Sequence, residues 1–342
     1  MAALIRKRIV PRLHPVPPLT RHLGGPPRPR RVSGAWLWLA WLALSVSSPG
    51  DPVAPRSRDV VAILGGSLMV AVERAAAVET LSTLAWPELK LRFRGLAWEG
   101  DTVDRQPREV NFPGPAEWLR RSGATIAFVG FGQAECRQGE PGLMAFRHAY
   151  GGHLDELLKA MPRIVVVIPP PFEPKDAPLP DLAPRNPEFA RYAAVMRELA
   201  AARGLPLMDL LAAFERDRPR GSWTTDGREL SEHGHRWVAS VWLREMGAAD
   251  WAERAAAAGF WERDDVARVR AAIVEKNRLW FRYWRPTNWA FLHGDRTEQL
   301  SSRDHRDPKV RWFPAEMEQY PPLIEEAEGR IESLASQAAS TR

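Results

Sequence analysis

From residue 59 onward, short apolar runs alternate with stretches whose apolar residues recur every three or four positions. The runs at 59–64, 89–96, 124–131, 163–168 and 206–210 are short and mostly rich in Val, Ile and Leu, so they read as five buried strands. Helical spacing fills 68–81, 142–161, 187–203 and 232–246. Strand and helix alternating at this spacing predict a parallel sheet covered on both faces. Residues 169–186 carry seven prolines and must form a loop at the sheet's carboxyl end. Past about residue 249 only helical patterns remain. Residues 264–282 and 314–335 read as two amphipathic helices, the second rich in Glu. No internal repeat is visible.

Charge changes the picture at one end only. The formal net charge is +6, which raises nucleic acid as a partner. Residues 1–47, however, hold eight Lys and Arg with no acid, and the rest of the chain sums to −2. The body of the protein is therefore no polyanion binder. The basic stretch runs into Ala35-Trp36-Leu37-Trp38-Leu39-Ala40-Trp41-Leu42-Ala43-Leu44 and then small residues, the order of a secretory signal. Its apolar core is too short to span a bilayer comfortably. Its charged region is long, so either translation starts after Met1 or the leader stays as an anchor. The expectation is export to the periplasm or beyond, with membrane contact only through an uncleaved leader. One cysteine, Cys136, rules out an intramolecular disulfide and leaves stability to packing.

The first strand ends in Gly65-Gly66-Ser67. A strand that breaks sharply into a helix holds a side chain at the sheet's carboxyl edge, where open α/β sheets bind ligands. Ser67 is thus a candidate nucleophile and equally a candidate N-cap for the helix at 68–81. A serine hydrolase also needs a base, an acid to orient it, and donors for the developing oxyanion. Gly100, after the second strand, offers a backbone N–H that a substrate can approach closely; Gly100-Asp101-Thr102 also suits a simple turn.

These segments resemble the SGNH hydrolases, or GDSL lipases and esterases, over roughly residues 59–246. The family's first block, Gly-Asp-Ser, stands here as Gly65-Gly66-Ser67, with the serine kept and the aspartate replaced. Its second block ends in Gly-Asp-Thr, matched fully by Gly100-Asp101-Thr102. Pro169-Pro170-Pro171-Phe172-Glu173, the helix around Tyr192 to Ala201 and the tail from Asn277 to Pro286 are similar to a secreted bacterial branch. The resemblance implies a three-layer, flavodoxin-like α/β fold with a central parallel sheet of about five strands, over residues 58–248. A leader over 1–57 precedes it and a helical, Trp-rich extension over 249–342 follows. It further implies hydrolysis of a carboxylic ester, including acyl groups on carbohydrate, with Ser67 as nucleophile, Asp226 as acid and the N–H groups of Ser67 and Gly100 as oxyanion donors. No cofactor and no metal are implied.

Two blocks depart from the pattern. The third, Gly-x-Asn-Asp/Glu, reads Gly132-Gln133-Ala134-Glu135, so Ala134 has no amide where the family has a donor. Gln133 is a candidate substitute, but its neighbouring position is expected to point it elsewhere unless the loop is rebuilt. The fifth, Asp-x-x-His, reads Asp226-Gly227-Arg228-Glu229, with a glutamate in the base position. A lost oxyanion donor typically costs about 10²–10³ in rate, and a lost general base about 10²–10⁴. Glu229, with a reference pKa of about 4.3, is a weaker base than imidazole at about 6.5. His233 and His235 lie just beyond and are candidate displaced bases. As metal ligands with Glu229 they fail on geometry, since a helix starting at Ser231 or Glu232 points them to opposite faces. The alternative to an enzyme is a non-catalytic relative that keeps the cleft for binding. Cys136 reads as a small buried side chain. The cluster from Trp280 to Trp289 reads either as a clasp for the tail or as a platform for sugar rings.

Overall fold

A computed structural model describes residues 53–219 and 221–340. Most of the leader therefore lies outside the described residues, and its export and anchoring stay as expectations. In chain order the elements are β1 (Val60–Gly65), α1 (Ser67–Ala75), α2 (Ala77–Ala85), β2 (Arg92–Gly95), α3 (Pro115–Arg121), β3 (Ile126–Gly130), α4 (Gly139–Ala160) and β4 (Ile164–Ile168). They continue with α5 (Asn186–Ala202), β5 (Leu207–Asp209), α6 (Leu210–Asp217), α7 (Glu232–Glu245), α8 (Ala249–Ala256), α9 (Asp264–Trp284), α10 (Trp289–Leu292), α11 (Trp312–Met317) and α12 (Tyr320–Ser340).

The strands form one parallel sheet in the order β2-β1-β3-β4-β5. Side chains alternate across a strand, and the core divides accordingly. Val61, Ile63, Phe128, Val165 and Val167 join one apolar layer; Ala62, Leu64, Val129, Val166 and Ile168 join the other. The first layer is closed by α1, α2, α7 and α8, with Trp242 of α7 stacked 4.4 Å from Phe128. The second is closed by α3, α4 and α5. Both faces are thus covered, which is why the strands read as unbroken apolar runs rather than as alternating ones.

Two predicted helices are divided. The stretch 68–81 breaks at Ala76, whose φ of 57° places it in the left-handed region. The bend turns α2 so that all of Ala77 to Leu84 is buried, a burial that a straight continuation on one amphipathic face would not give. The stretch 314–335 is two helices because Pro321 cannot continue α11 and instead takes the first turn of α12, where its missing N–H costs nothing.

The extension is packed on the sheet's β2 edge. An edge strand presents unpaired backbone groups, and here they find side chains. Phe93 O accepts from Lys276 Nζ at 3.1 Å and Gly95 O from Trp280 Nε1 at 2.8 Å, both from α9. Arg94 and Arg92 of β2 pair with Glu328 of α12 at 2.5 and 3.3 Å. The described residues belong to one compact unit.

Candidate active site

The strand order reverses between β1 and β3, and the crevice beyond their carboxyl ends is where sheets of this order take ligands. The turn after β1 enters it. Gly65 has φ 137°, open to glycine alone in practice, and a Cβ there would lie 2.0 Å from Gly130 O. A Cβ on Gly66 would lie 2.7 Å from Asp101 O. The two glycines let the first turn touch the loops that follow β2 and β3.

The cap position belongs to Gly66 rather than Ser67. Ser67 is the first residue of α1, and no side chain caps that helix. Its Oγ instead accepts the Gly100 N–H at 3.2 Å, the one side-chain hydrogen bond it makes among the described residues. The Ser67 N–H, as the first amide of a helix, has no acceptor inside it, and the positive end of the helix dipole lies there. A hydroxyl and two N–H groups thus converge.

The loop bearing Gly100 is held from both sides. Trp98 N–H donates to Gly65 O at 3.1 Å, and Asp101 N–H to Trp98 O at 3.2 Å. The Trp98 ring is sandwiched between Arg108 at 4.2 Å and Arg285 of the extension at 3.6 Å. Glu99 takes Arg285 at 2.7 Å and Arg74 at 2.8 Å; Asp101 takes Arg108 at 2.9 Å. Trp284 packs edge-on against Trp98 and Trp118, and Trp289 against Phe112. These rings pack on one another and none lines the cleft, so the cluster acts as a clasp.

The cleft is lined by Ser67, Asp101, the loop from Gly130 to Glu135, and Arg137, Arg185 and Arg228, among others. Ala134 stands exposed on its rim with no donor in its side chain. Gln133 is buried, lines the cleft and donates from Nε2 to Pro170 O at 3.2 Å. The loop is tied down by Glu135, whose carboxylate accepts the N–H groups of Val103 at 2.8 Å and Gly132 at 2.7 Å. Burial raises the Glu135 pKa despite those bonds. Behind it Cys136 is fully buried, donates to Gln133 O at 3.2 Å, and has its thiol pushed up to about 12 by burial, so it is no thiolate.

The fifth-block turn places its residues unexpectedly. Asp226 Oδ1 accepts the N–H groups of Arg228 at 2.9 Å and Glu229 at 2.7 Å. Burial opposes ionisation of Asp226, but those two N–H groups and the Arg228 charge outweigh it and hold the pKa below the usual value. Glu229 pairs with Arg228 at 2.7 Å. Of this segment Arg228 lines the cleft, while Asp226, Glu229, His233 and His235 do not. Glu173, at the end of the proline run, fastens the turn by accepting from the N–H of Thr224 at 2.7 Å and from its hydroxyl. His233 is exposed and His235 half-buried on α7. Among the described residues no group of three His, Cys, Asp or Glu stands where it would hold a metal ion. Sequence reading singled out none of Arg137, Arg185 and Arg228 as cleft residues, because their convergence comes from three separate loops.

Burial holds both His235 and His153 at about 4, below the ordinary value of 6.5. A depressed folded pKa gives stability that is complete above pH 6.5 and lost as the pH falls toward 4. Denaturant melts of His235→Gln should therefore show the stability gap between wild type and variant shifting in the variant's favour from pH 7 to pH 4.5. A gap independent of pH would remove this assignment.

A parallel 2-1-3-4-5 sheet with a hydroxyl at the first helix's N-terminus and a glycine amide upon it defines an α/β hydrolase-like fold of the serine-block type. The chain belongs to the GDSL-like lipase/acylhydrolase family, which matches residues 63–237. Among solved structures, a gut microbial diltiazem-metabolizing enzyme is 13% identical with a TM-score of 0.55, over 84% of this chain and 96% of that one. That likeness shows the fold. An acetylxylan esterase from Geobacillus stearothermophilus is 17% identical, with a TM-score of 0.43 over 56% of this chain and 95% of that one. The lipase/acylhydrolase from Enterococcus faecalis is 16% identical, with a TM-score of 0.41 over 55% of this chain and 95% of that one. No curated protein matches.

Proposed function

We propose that this chain hydrolyses carboxylic esters with Ser67 as the nucleophile and the N–H groups of Ser67 and Gly100 as oxyanion donors, at a rate lowered by the residues in the third and fifth blocks. The observation that carries this reading is the Gly100 N–H held 3.2 Å from Ser67 Oγ at the head of α1. A donor aimed at the nucleophile's oxygen is close to where a tetrahedral intermediate would place its charge. Gln133, beside the position of the missing asparagine, lines the cleft with its Nε2 donating to Pro170 O. Asp226 keeps the acid's place in the fifth block and Glu229 the base's, with Glu229 paired to Arg228. The leader pattern in the sequence supports a reaction outside the cytoplasm.

A second reading, a binding protein without turnover, rests on the cation Arg228, which lines the cleft from the block that supplies the family's base. One experiment separates the two. A fluorophosphonate probe should label the wild-type chain and not Ser67→Ala, and hydrolysis of 4-nitrophenyl acetate or an acetylated xylo-oligosaccharide should vanish in that variant. Absent labelling, with a background rate identical in both proteins, would leave the binding reading.

A further inference from the structure

Three guanidinium groups line the cleft that holds Ser67. Arg137 comes from the 3₁₀ turn after β3, Arg185 from the turn before α5, and Arg228 from the fifth-block loop. Two carboxylates line it as well, and both are engaged: Asp101 with Arg108, Glu135 with the N–H groups of Val103 and Gly132. Arg228 has Glu229 as its counter-charge at 2.7 Å. Arg137 and Arg185 have no ion pair and no side-chain hydrogen bond among the described residues. Arg137 and Arg185 are thus the cleft arginines without a paired carboxylate among the described residues, and they stand beside an apolar wall that includes Leu68, Phe131, Phe172 and Leu182.

Uncompensated charge of one sign in a cleft focuses the field and concentrates ligands of the opposite sign. A guanidinium offers a planar fork of donors that matches carboxylate and phosphate oxygens two at a time. A neutral ester would use neither.

Building on the esterase reading of Ser67, we infer that the ester this cleft accepts carries an anionic group, a carboxylate or a phosphate, held by Arg137 and Arg185 while the apolar wall takes the hydrocarbon part. Charge, not the identity of the alcohol, then sets the first level of selectivity. Because both arginines come from loops on the β3 and β4 side, the anionic group sits away from the Gly100 loop and leaves the oxyanion donors free.

The test uses the full chain with Ser67→Ala, so that it does not depend on turnover. Isothermal titration compares monobutyl succinate with butyl succinamate, its neutral isostere, and adds monobutyl phosphate as the second anion. At least one anion is expected to bind about tenfold or more tightly than the neutral ligand, as two charge-assisted hydrogen-bonding groups would give. The better anion identifies the source. Raising the salt from 50 to 500 mM should erode that preference, since exposed charges are screened. Adding R137Q and R185Q, both at exposed positions, should bring the ratio close to one, with a thermal melt to check the fold; if the double variant unfolds, each single variant should lose part of the ratio. Equal affinity for charged and neutral ligands, no measurable binding of either anion at millimolar concentration, or a preference that survives both substitutions would overturn the inference. Failure of Ser67 to react with a fluorophosphonate would sink the esterase reading while leaving this result intact, and loss of the anion preference would leave neutral ester hydrolysis standing.

Discussion

Replacing Glu229 with histidine is expected to raise ester turnover by about 10²–10⁴, the range a positioned general base supplies. The turn supplies a carboxylate that can orient it. Asp226 commits Oδ1 to the N–H groups of Arg228 and Glu229, while Oδ2 has no partner among the described residues and is free to take an imidazole N–H. The substitution also dissolves the Arg228–Glu229 pair, leaving the imidazole facing Asp226 rather than a neighbouring guanidinium. An orienting carboxylate fixes the tautomer that a serine needs from its base. The pH–rate profile should gain a limb near the imidazole value of about 6.5. Steady-state hydrolysis of an aryl acetate by Glu229→His, with Glu229→His/Ser67→Ala as control, measures both. An unchanged rate, or a gain that persists without Ser67, would show that the machinery around the nucleophile is not arranged for chemistry.

Lys276→Met should destabilise the fold by about 3–5 kcal/mol, the usual cost of removing one partner of a buried ion pair. Lys276 is 0% exposed, lies 2.8 Å from Glu79 and donates to Phe93 O. Burial already raises the Glu79 pKa, with Lys276 acting against it. Without the cation the folded-state pKa rises further. A carboxyl raised in the folded state gives stability that is present at low pH and lost as the pH climbs through the folded value. The deficit of Lys276→Met should therefore be larger at pH 8 than at pH 5. Glu79→Gln/Lys276→Met should recover part of it, because Glu79 then carries no stranded charge. Urea melts at the two pH values give both numbers, and an equal deficit at each pH would mean that lost packing, not charge, is responsible. Since the pair joins α9 to α2 and the β2 edge, the same result would show that the extension is part of the fold's stability.

Parts of this architecture were legible because they depend on local pattern. Each strand was found within a few residues, since a parallel strand buried on both faces leaves a continuous apolar run. Gly65, Gly66 and Ser67 announced the turn, because few other residues allow a strand to reverse into a helix so tightly. The break at Ala76 left no local mark; a run of alanines favours an unbroken helix, and only packing of α2 against α7 decides otherwise. The setting of Gln133 also left no local mark. Its loop is tied down by Glu135, which accepts the N–H groups of Gly132 and of Val103, the latter 32 residues upstream in the loop after β2.

The sequence by itself determined the layer order, the serine at the head of α1, the glycine amide of the neighbouring loop, and the changed residues at positions 134 and 229, because each is a matter of residue type at a fixed spacing. Tertiary structure alone decided what faces Ser67. Arg137, Arg185 and Arg228 come from three loops that meet only once the sheet orders its strands 2-1-3-4-5, and Glu229 turns away because its own neighbour pairs with it. Charge in a cleft is a sum over segments distant in sequence, and no spacing rule within one segment carries that sum.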